Sequence, residues 1–368
     1  MRILMTTDTV GGVWTYTREL ATGLLQRGCT VILISVGASP DTAQQTWIEQ
    51  TSELWPQHIR YLRTDFKLEW MQDGGSCYED SKIFLLQCIK AFQADLLHSN
   101  QFCYGALPVE IPKVVVAHSD VHSWAETCDV AAATPSPWLN GYDAVVGAGI
   151  RGADAIIAPT RWMADQIVRF YHPTLEIEVI ANGRSLPCIK RSPKKMQAVS
   201  CGRLWDKAKN VQLLGQFTPP LPIKLAGDLL GPESTQYVEM QTVTSLRRLT
   251  ESELLKLFEE SAIYIVTSCY EPFGLSGVEA ALCGCAVVAN DIPSIREVWG
   301  SNAIYFERNN AESLRLVLEG LCQDQAAVEQ AAAKALAHVT KLYSAECMTT
   351  AYMHLYGKLC QRAVPCAS

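Results

Sequence analysis

No apolar run in this chain of 368 residues approaches the roughly 20 residues that a helix needs to cross a bilayer. The opening residues Met1-Arg2-Ile3-Leu4-Met5-Thr6 turn polar too early for a signal-peptide core. There is no Cys-x-x-Cys pair, although the chain carries 14 cysteines. They are scattered, and several, such as Cys29, Cys88 and Cys283, sit in apolar surroundings. Reduced, buried thiols in a cytoplasmic protein fit this better than a disulfide framework. No basic stripe and no low-complexity tract are present, so nucleic acid is not an expected partner. The formal charge is −7, and residues 1–175 hold 12 Lys+Arg against 18 Asp+Glu. That balance disfavours stable docking on anionic lipid. No Asp-x-Asp motif occurs anywhere, and no metal is expected.

What is present reads as two α/β halves. The length exceeds what one hydrophobic core usually supports, so two domains are the default. The chain opens as strand (Arg2–Thr7), glycine turn (Thr9-Val10-Gly11-Gly12) and helix (Trp14–Arg27). Gly28 closes the helix, and Thr30–Val36 is a β-branched run suited to a buried parallel strand. Alternation continues through Tyr78–Phe92, Asp95–His98, Lys113–His118, Asp154–Ala158 and Arg161–Tyr171. Residues 182–195 break it with Asn182-Gly183-Arg184, two prolines and Lys194-Lys195, and read as a linker. A second series follows: Met196–Cys201, Ile223–Gly227, Glu251–Glu260, Ile263–Thr267, a helix over Gly274–Cys283, and Ala286–Asn290. The expected division is 1–181, a linker 182–195, 196–345, and a final helix in 346–368 returning toward the first domain. Such alternation implies parallel sheets covered on both faces.

The stretch Ser268-Cys-Tyr-Glu271-Pro-Phe-Gly274-Leu-Ser-Gly-Val-Glu279 follows one such strand and opens a helix. In open α/β sheets that is where ligands bind. The amides of Phe273, Gly274, Leu275 and Ser276, with the positive end of the helix dipole, suit a phosphate. Two acids beside an anion make sense if they accept hydrogen bonds from hydroxyls flanking the phosphate. Glu279 lies in a helix apolar nearly all round, which sets it apart from an ordinary solvated glutamate.

This Glu-x7-Glu pattern, with Gly274 and the following Ala-Leu-Cys-Gly284-Cys-Ala-Val-Val-Ala, resembles the retaining nucleotide-sugar glycosyltransferases of family 4, of the GT-B fold. The resemblance implies two Rossmann-like, doubly wound parallel-sheet domains facing a cleft. It implies transfer of a hexose from a UDP- or GDP-sugar to a sugar, lipid-linked or other acceptor hydroxyl, with no cofactor. By resemblance Glu271 contacts donor-sugar hydroxyls and Glu279 the ribose. Arg203, in the strand-ending Gly202-Arg203, and Lys209, in Lys209-Asn210, neutralise the diphosphate, with Lys207 competing for the second role. Gly12 belongs to the family's glycine turn, and His118 to the strand-end histidine facing the donor sugar. By position alone, Thr244–Leu246 are candidates for lying near the base. A sugar-nucleotide epimerase, a phosphorylase of the same fold and a non-catalytic sugar-nucleotide-binding protein are the alternatives.

Two patterns compete with this picture. His118-Ser-Asp120-Val-His122 has the residue types of a metal site but no evident third ligand. Gly147-Ala-Gly149-Ile-Arg-Gly152 is a literal dinucleotide fingerprint, yet it neither follows a strand nor opens a helix.

Overall fold

The structure, a computed structural model, describes residues 1–71, 74–129, 136–186, 193–228 and 242–362, excepting the side chains of 74–77 and 362. It divides into two compact units, Met1–Gly183 with Ala345–Ser368, and Arg184–Ser344.

The first unit runs β1 (Arg2–Asp8), α1 (Gly12–Gln26), β2 (Thr30–Val36), α2 (Thr42–Leu54), β3 (Ile59–Arg63), α3 (Gly74–Phe92) and β4 (Leu96–Ser99). A short 3-10 turn at Phe102–Ala106 leads to β5 (Lys113–Val116), α4 (Val121–Thr127), α5 (Pro137–Gly152), β6 (Ala155–Ala158), α6 (Arg161–Tyr171) and β7 (Ile177–Val179). Its seven strands lie in the order β3-β2-β1-β4-β5-β6-β7, each neighbouring pair parallel. Side chains of β2 beyond Thr30 are all buried, as expected for a strand covered on both faces. The helix starts carry their own caps. Asp120 accepts from the amides of His122 and Ser123, Ser136 from Leu139 with Pro137 at the first turn, and Thr160 from Met163.

The second unit runs β8 (Lys195–Cys201), 3-10 turns at Lys207–Lys209 and Val211–Gly215, β9 (Ile223–Ala226), β10 (Thr244–Ser245), α7 (Glu251–Glu260) and β11 (Ser261–Val266). Then come α8 (Leu275–Leu282), β12 (Ala286–Asn290), α9 (Pro293–Trp299), β13 (Ile304–Phe306), α10 (Ala311–Gln323) and α11 (Gln325–Leu342). The strand order is β10-β9-β8-β11-β12-β13, again all parallel. A reciprocal capping box between Thr250 and Glu253 starts α7. The core gathers Leu225, Ile263, Ile265 and Val288 of the sheet against Leu314 and Leu318 of α10, all fully buried. Each such side chain contributes roughly 1.5–3 kcal/mol.

Both sheets reverse their strand order once, between β1 and β4 in the first unit and between β8 and β11 in the second. A crevice opens at the carboxyl ends of the strands at each such point. The segments leaving β8 and β11 carry Arg203, Lys209 and Glu271, and those leaving β1, β4 and β5 carry Gly12, Asn100 and His118.

Three expectations need correcting. Arg184, read as linker, is buried and belongs to the second unit, and β8 begins at Lys195 rather than after it. Residues 187–192 of that linker lie outside the described residues. The units also part between Ser344 and Ala345, so the final helix α12 (Ala345–Arg362) begins the return to the first unit.

Candidate active site

The site in the second unit is built on two loops tied to each other. After β8 the chain makes a 3-10 turn capped by Asp206, whose side chain accepts from the amide of Ala208. The loop after β11 grips that turn. Thr267 Oγ1 donates to the Lys209 carbonyl at 2.6 Å, and the Cys269 amide to the Ala208 carbonyl at 2.9 Å. Asn290, ending β12, holds the same loop by donating from Nδ2 to the carbonyls of Thr267 and Ser268. Lys209 Nζ thereby reaches Glu271 Oε2 at 2.5 Å, and Ser268 Oγ donates to the same oxygen at 3.1 Å. Lys209 and Glu271 are mostly buried, with side chains 19% and 14% exposed. Lys207 is exposed instead.

Gly274 stands immediately before α8 with φ +88°, a left-handed backbone that any side chain would strain, and a Cβ there would lie 3.2 Å from Glu271 Cγ. That backbone turns the chain so that the first amides of α8, from Leu275 and Ser276 onward, open the helix just after Glu271. Phe273 is buried and packs edge-on against Tyr343, with ring centroids 5.2 Å apart, so only its backbone is available to a ligand. Behind the loop, Tyr264 donates to Ser276 Oγ at 2.8 Å. Lys209, Glu271, Gly274, Ser276 and Trp299 all line one small cavity. Arg203 stands further out, half-exposed, with one guanidinium nitrogen 2.9 Å from Asp206 and its centre 5.7 Å from the Trp205 ring.

Glu279 is placed differently from a ligand-facing acid with no protein partner. Arg184 Nε donates to its Oε1 at 2.7 Å. Of the base-region candidates, Thr244 and Ser245 form the edge strand β10.

In the first unit Gly11, with φ +69°, precedes α1, and Gly12 is the exposed first residue of that helix. His118 lies just past β5, partly exposed. Its Nε2 meets Asn100 Oδ1 at 2.8 Å, while Asn100 Nδ2 donates to the Thr6 carbonyl at 2.7 Å. Because that second bond fixes the amide, Nε2 of His118 carries the hydrogen and Nδ1 is left as an acceptor. Loss of solvent around the ring lowers the His118 pKa, so the imidazole is neutral near pH 7. The Tyr16 ring packs edge-on against it at 4.6 Å.

The competing patterns resolve into structure. Of the suspected metal set, His118 binds Asn100, Asp120 caps α4 and His122 pairs with Asp143 at 2.6 Å. The three glycines of the dinucleotide-like string all lie inside α5, where Gly149 and Gly152 face the backbone of the Phe102–Ala106 turn. Those two serve close packing.

Sequence reasoning passed over Ser268, Asn290, Asn100 and Arg184. Two of these had a visible signal: Asn290 ends the otherwise apolar Ala286–Asn290, and Asn100 follows the apolar strand β4.

Residues 10–186 match the family described as Glycosyltransferase Family 4, and residues 233–337 that described as Glycosyl transferases group 1. With two parallel-sheet units of this topology, these matches define a glycosyltransferase of the GT-B class. The chain belongs to the family 4 type of these enzymes. It is 24% identical to the glycogen synthase of Mycobacterium tuberculosis over 97% of this chain and 94% of that one. It is 25% identical to the α-maltose-1-phosphate synthase of the same organism, over 58% and 64%. Among solved structures, sucrose-phosphate synthase from Thermosynechococcus elongatus superposes with a TM-score of 0.80 at 16% identity, over 98% of this chain and all of that one. The Anabaena protein HepE in complex with UDP-glucose does so with 0.75 at 19%, over 97% and 100%. Among the described residues no helix is long and apolar enough to cross a membrane.

Proposed function

We propose that the protein transfers a hexosyl group from a UDP- or GDP-sugar to an acceptor hydroxyl, with retention at the anomeric carbon and without a metal cofactor. The observation that carries this is the Lys209–Glu271 pair set directly before α8, at the point where the second sheet reverses its strand order. The diphosphate takes the helix amides, Lys209 and Arg203, and Lys209 exchanges its glutamate partner for phosphate. Glu271, released, accepts from donor-sugar hydroxyls, and Glu279 from the ribose. As the bond from the anomeric carbon to the phosphate oxygen breaks, the acceptor oxygen bonds to the same face. Its proton passes to the departing diphosphate, so no protein base is required. Neutral His118 orients the sugar through the acceptor nitrogen Nδ1. The HepE complex with UDP-glucose, on a chain of the same fold, supports the choice of donor.

Lys209→Ala and Glu271→Ala test this reading. Each should cut turnover of the preferred donor by about 10²–10³-fold with the fold intact by circular dichroism. Turnover within a few-fold of wild type in either variant sinks the assignment. Proton NMR of the product should show the donor's anomeric configuration retained and a new glycosidic bond. A donor sugar epimerised with no acceptor consumed would instead identify an epimerase.

A further inference from the structure

Arg184 is the first residue of the second unit, and its side chain is only 3% exposed. Its guanidinium is spent on three sides. Nε donates to Glu279 Oε1 at 2.7 Å, one terminal nitrogen donates to the Glu251 carboxylate, and the other donates to the Ser185 carbonyl at 3.1 Å. Its backbone amide is anchored as well, donating to the Tyr343 carbonyl at 2.8 Å. One side chain therefore joins the segment entering the unit to the start of α7 and the middle of α8.

Stability is a weak explanation for this arrangement. Buried ion pairs cost so much desolvation that apolar replacements often match or exceed them. The cluster also places two acids around one base. Glu251, first residue of α7, has the positive end of that helix dipole as a further source of stabilisation. Glu279, in mid-helix with its side chain 14% exposed, has no such dipole end, and a carboxylate so buried needs a cation. The terminal torsion of a glutamate is broad, so its carboxylate plane is poorly fixed by rotamer preference alone. The Arg184 bond to Oε1 fixes it. A carboxylate accepts at about four lone-pair positions, so the Arg184 bond does not by itself exhaust it.

We propose that Arg184 is a positioning residue for the nucleoside diphosphate: it holds the Glu279 carboxylate in the orientation that accepts from the ribose diol, and so sets selection for ribose over its deoxy forms. This rests on the functional reading above, in which Glu279 meets the ribose. Titration calorimetry with UDP and 2′,3′-dideoxy-UDP, and with the corresponding guanosine pair, tests it on wild type, Arg184→Met and Arg184→Lys. Wild type should prefer the diol by about tenfold, the worth of a hydrogen bond to a charged group. Arg184→Met should weaken diol binding to the level of the dideoxy ligand and leave the dideoxy ligand where it was. Arg184→Lys, which keeps the charge but not the fork, should retain part of the preference. Equal weakening of both ligands by Arg184→Met, with the diol preference intact, would mark Arg184 as merely structural and overturn the proposal. So would a wild type that binds both ligands equally. Wild type binding neither UDP nor GDP sinks the donor reading itself, a separate result. Should Arg184→Met not fold, a full wild-type diol preference in Arg184→Lys overturns the proposal, and a reduced one supports it.

Discussion

His98, the third residue of β4, is completely buried between two tyrosine hydroxyls: Tyr356 lies 2.6 Å from Nδ1 and Tyr16 3.3 Å from Nε2. Burial pushes its pKa down to about 3, with the nearby His118 adding to the shift. An unfolded chain protonates the same ring near pH 6.5. Between those values the unfolded state holds more protons, so stability is whole above about pH 6.5 and falls as pH drops toward 3. The slope should reach about 1.4 kcal/mol per pH unit for this one group. Urea unfolding of wild type and His98→Gln between pH 6.5 and 4 measures it, since other titrating groups cancel in the difference. Parallel stability curves for the two proteins would refute it. His98 was visible in the sequence only as the end of an apolar run. Its partners lie on residues 82 and 258 positions away, and no local pattern announces such pairing. Glu271, Gly274 and Glu279 were legible because their chemistry is contiguous. What the string could not show is that Lys209 and Arg184 occupy those two acids.

Elements were most legible where burial on both sides leaves a pure apolar run, as in β2 and β12, and where caps are written out, as at Thr250 before α7. Two were missed between residues 38 and 93. α2 does carry a signature, the capping box of Asp41 and Gln44, but it has few buried residues to give it a period. β3 is an edge strand in which Arg60 and Arg63 interrupt the apolar positions. The glycines of α5 show how a shared residue type hides opposite roles. A Cβ on Gly149 would lie 1.8 Å from the Phe102 carbonyl oxygen, whereas one on Gly141 would meet nothing within 4 Å. Gly141→Ala should therefore stabilise the protein by up to about 1 kcal/mol through helix propensity. Gly149→Ala must push two backbones apart and should cost about 3 kcal/mol or more. Denaturant midpoints of the two variants check the pair. A Gly149→Ala midpoint at or above that of wild type would show that the helix tolerates a side chain at its contact with the Phe102–Ala106 turn.

The route of the chain makes the two units unequal in how they can fold. The second is one continuous stretch, Arg184–Ser344, and holds Arg184, Arg203, Lys209, Glu271, Gly274 and Glu279 together. The first is closed by sequence that arrives only after the second is complete. Its final helix, α12, presents Met348, Tyr352, Leu355, Tyr356 and Leu359 as one buried stripe at helical spacing. Thr349 fills the space left by Gly23 on α1, and Arg27 reaches Glu346 at 2.5 Å. Five buried side chains at roughly 1.5–3 kcal/mol each come to about 7–15 kcal/mol as an upper bound. That equals the whole net stability of an ordinary domain, about 5–15 kcal/mol. Residues 1–183 expressed without the tail should therefore lack cooperative unfolding and bind a hydrophobic dye. Residues 184–344 alone should fold. If the donor reading is right, UDP or GDP should raise their melting temperature by mass action, while sugar transfer is lost with His118 and the glycine turn absent. A sharp thermal transition for 1–183 would show that α12 is dispensable. A second unit that stays unfolded alone would show that its stability depends on the first.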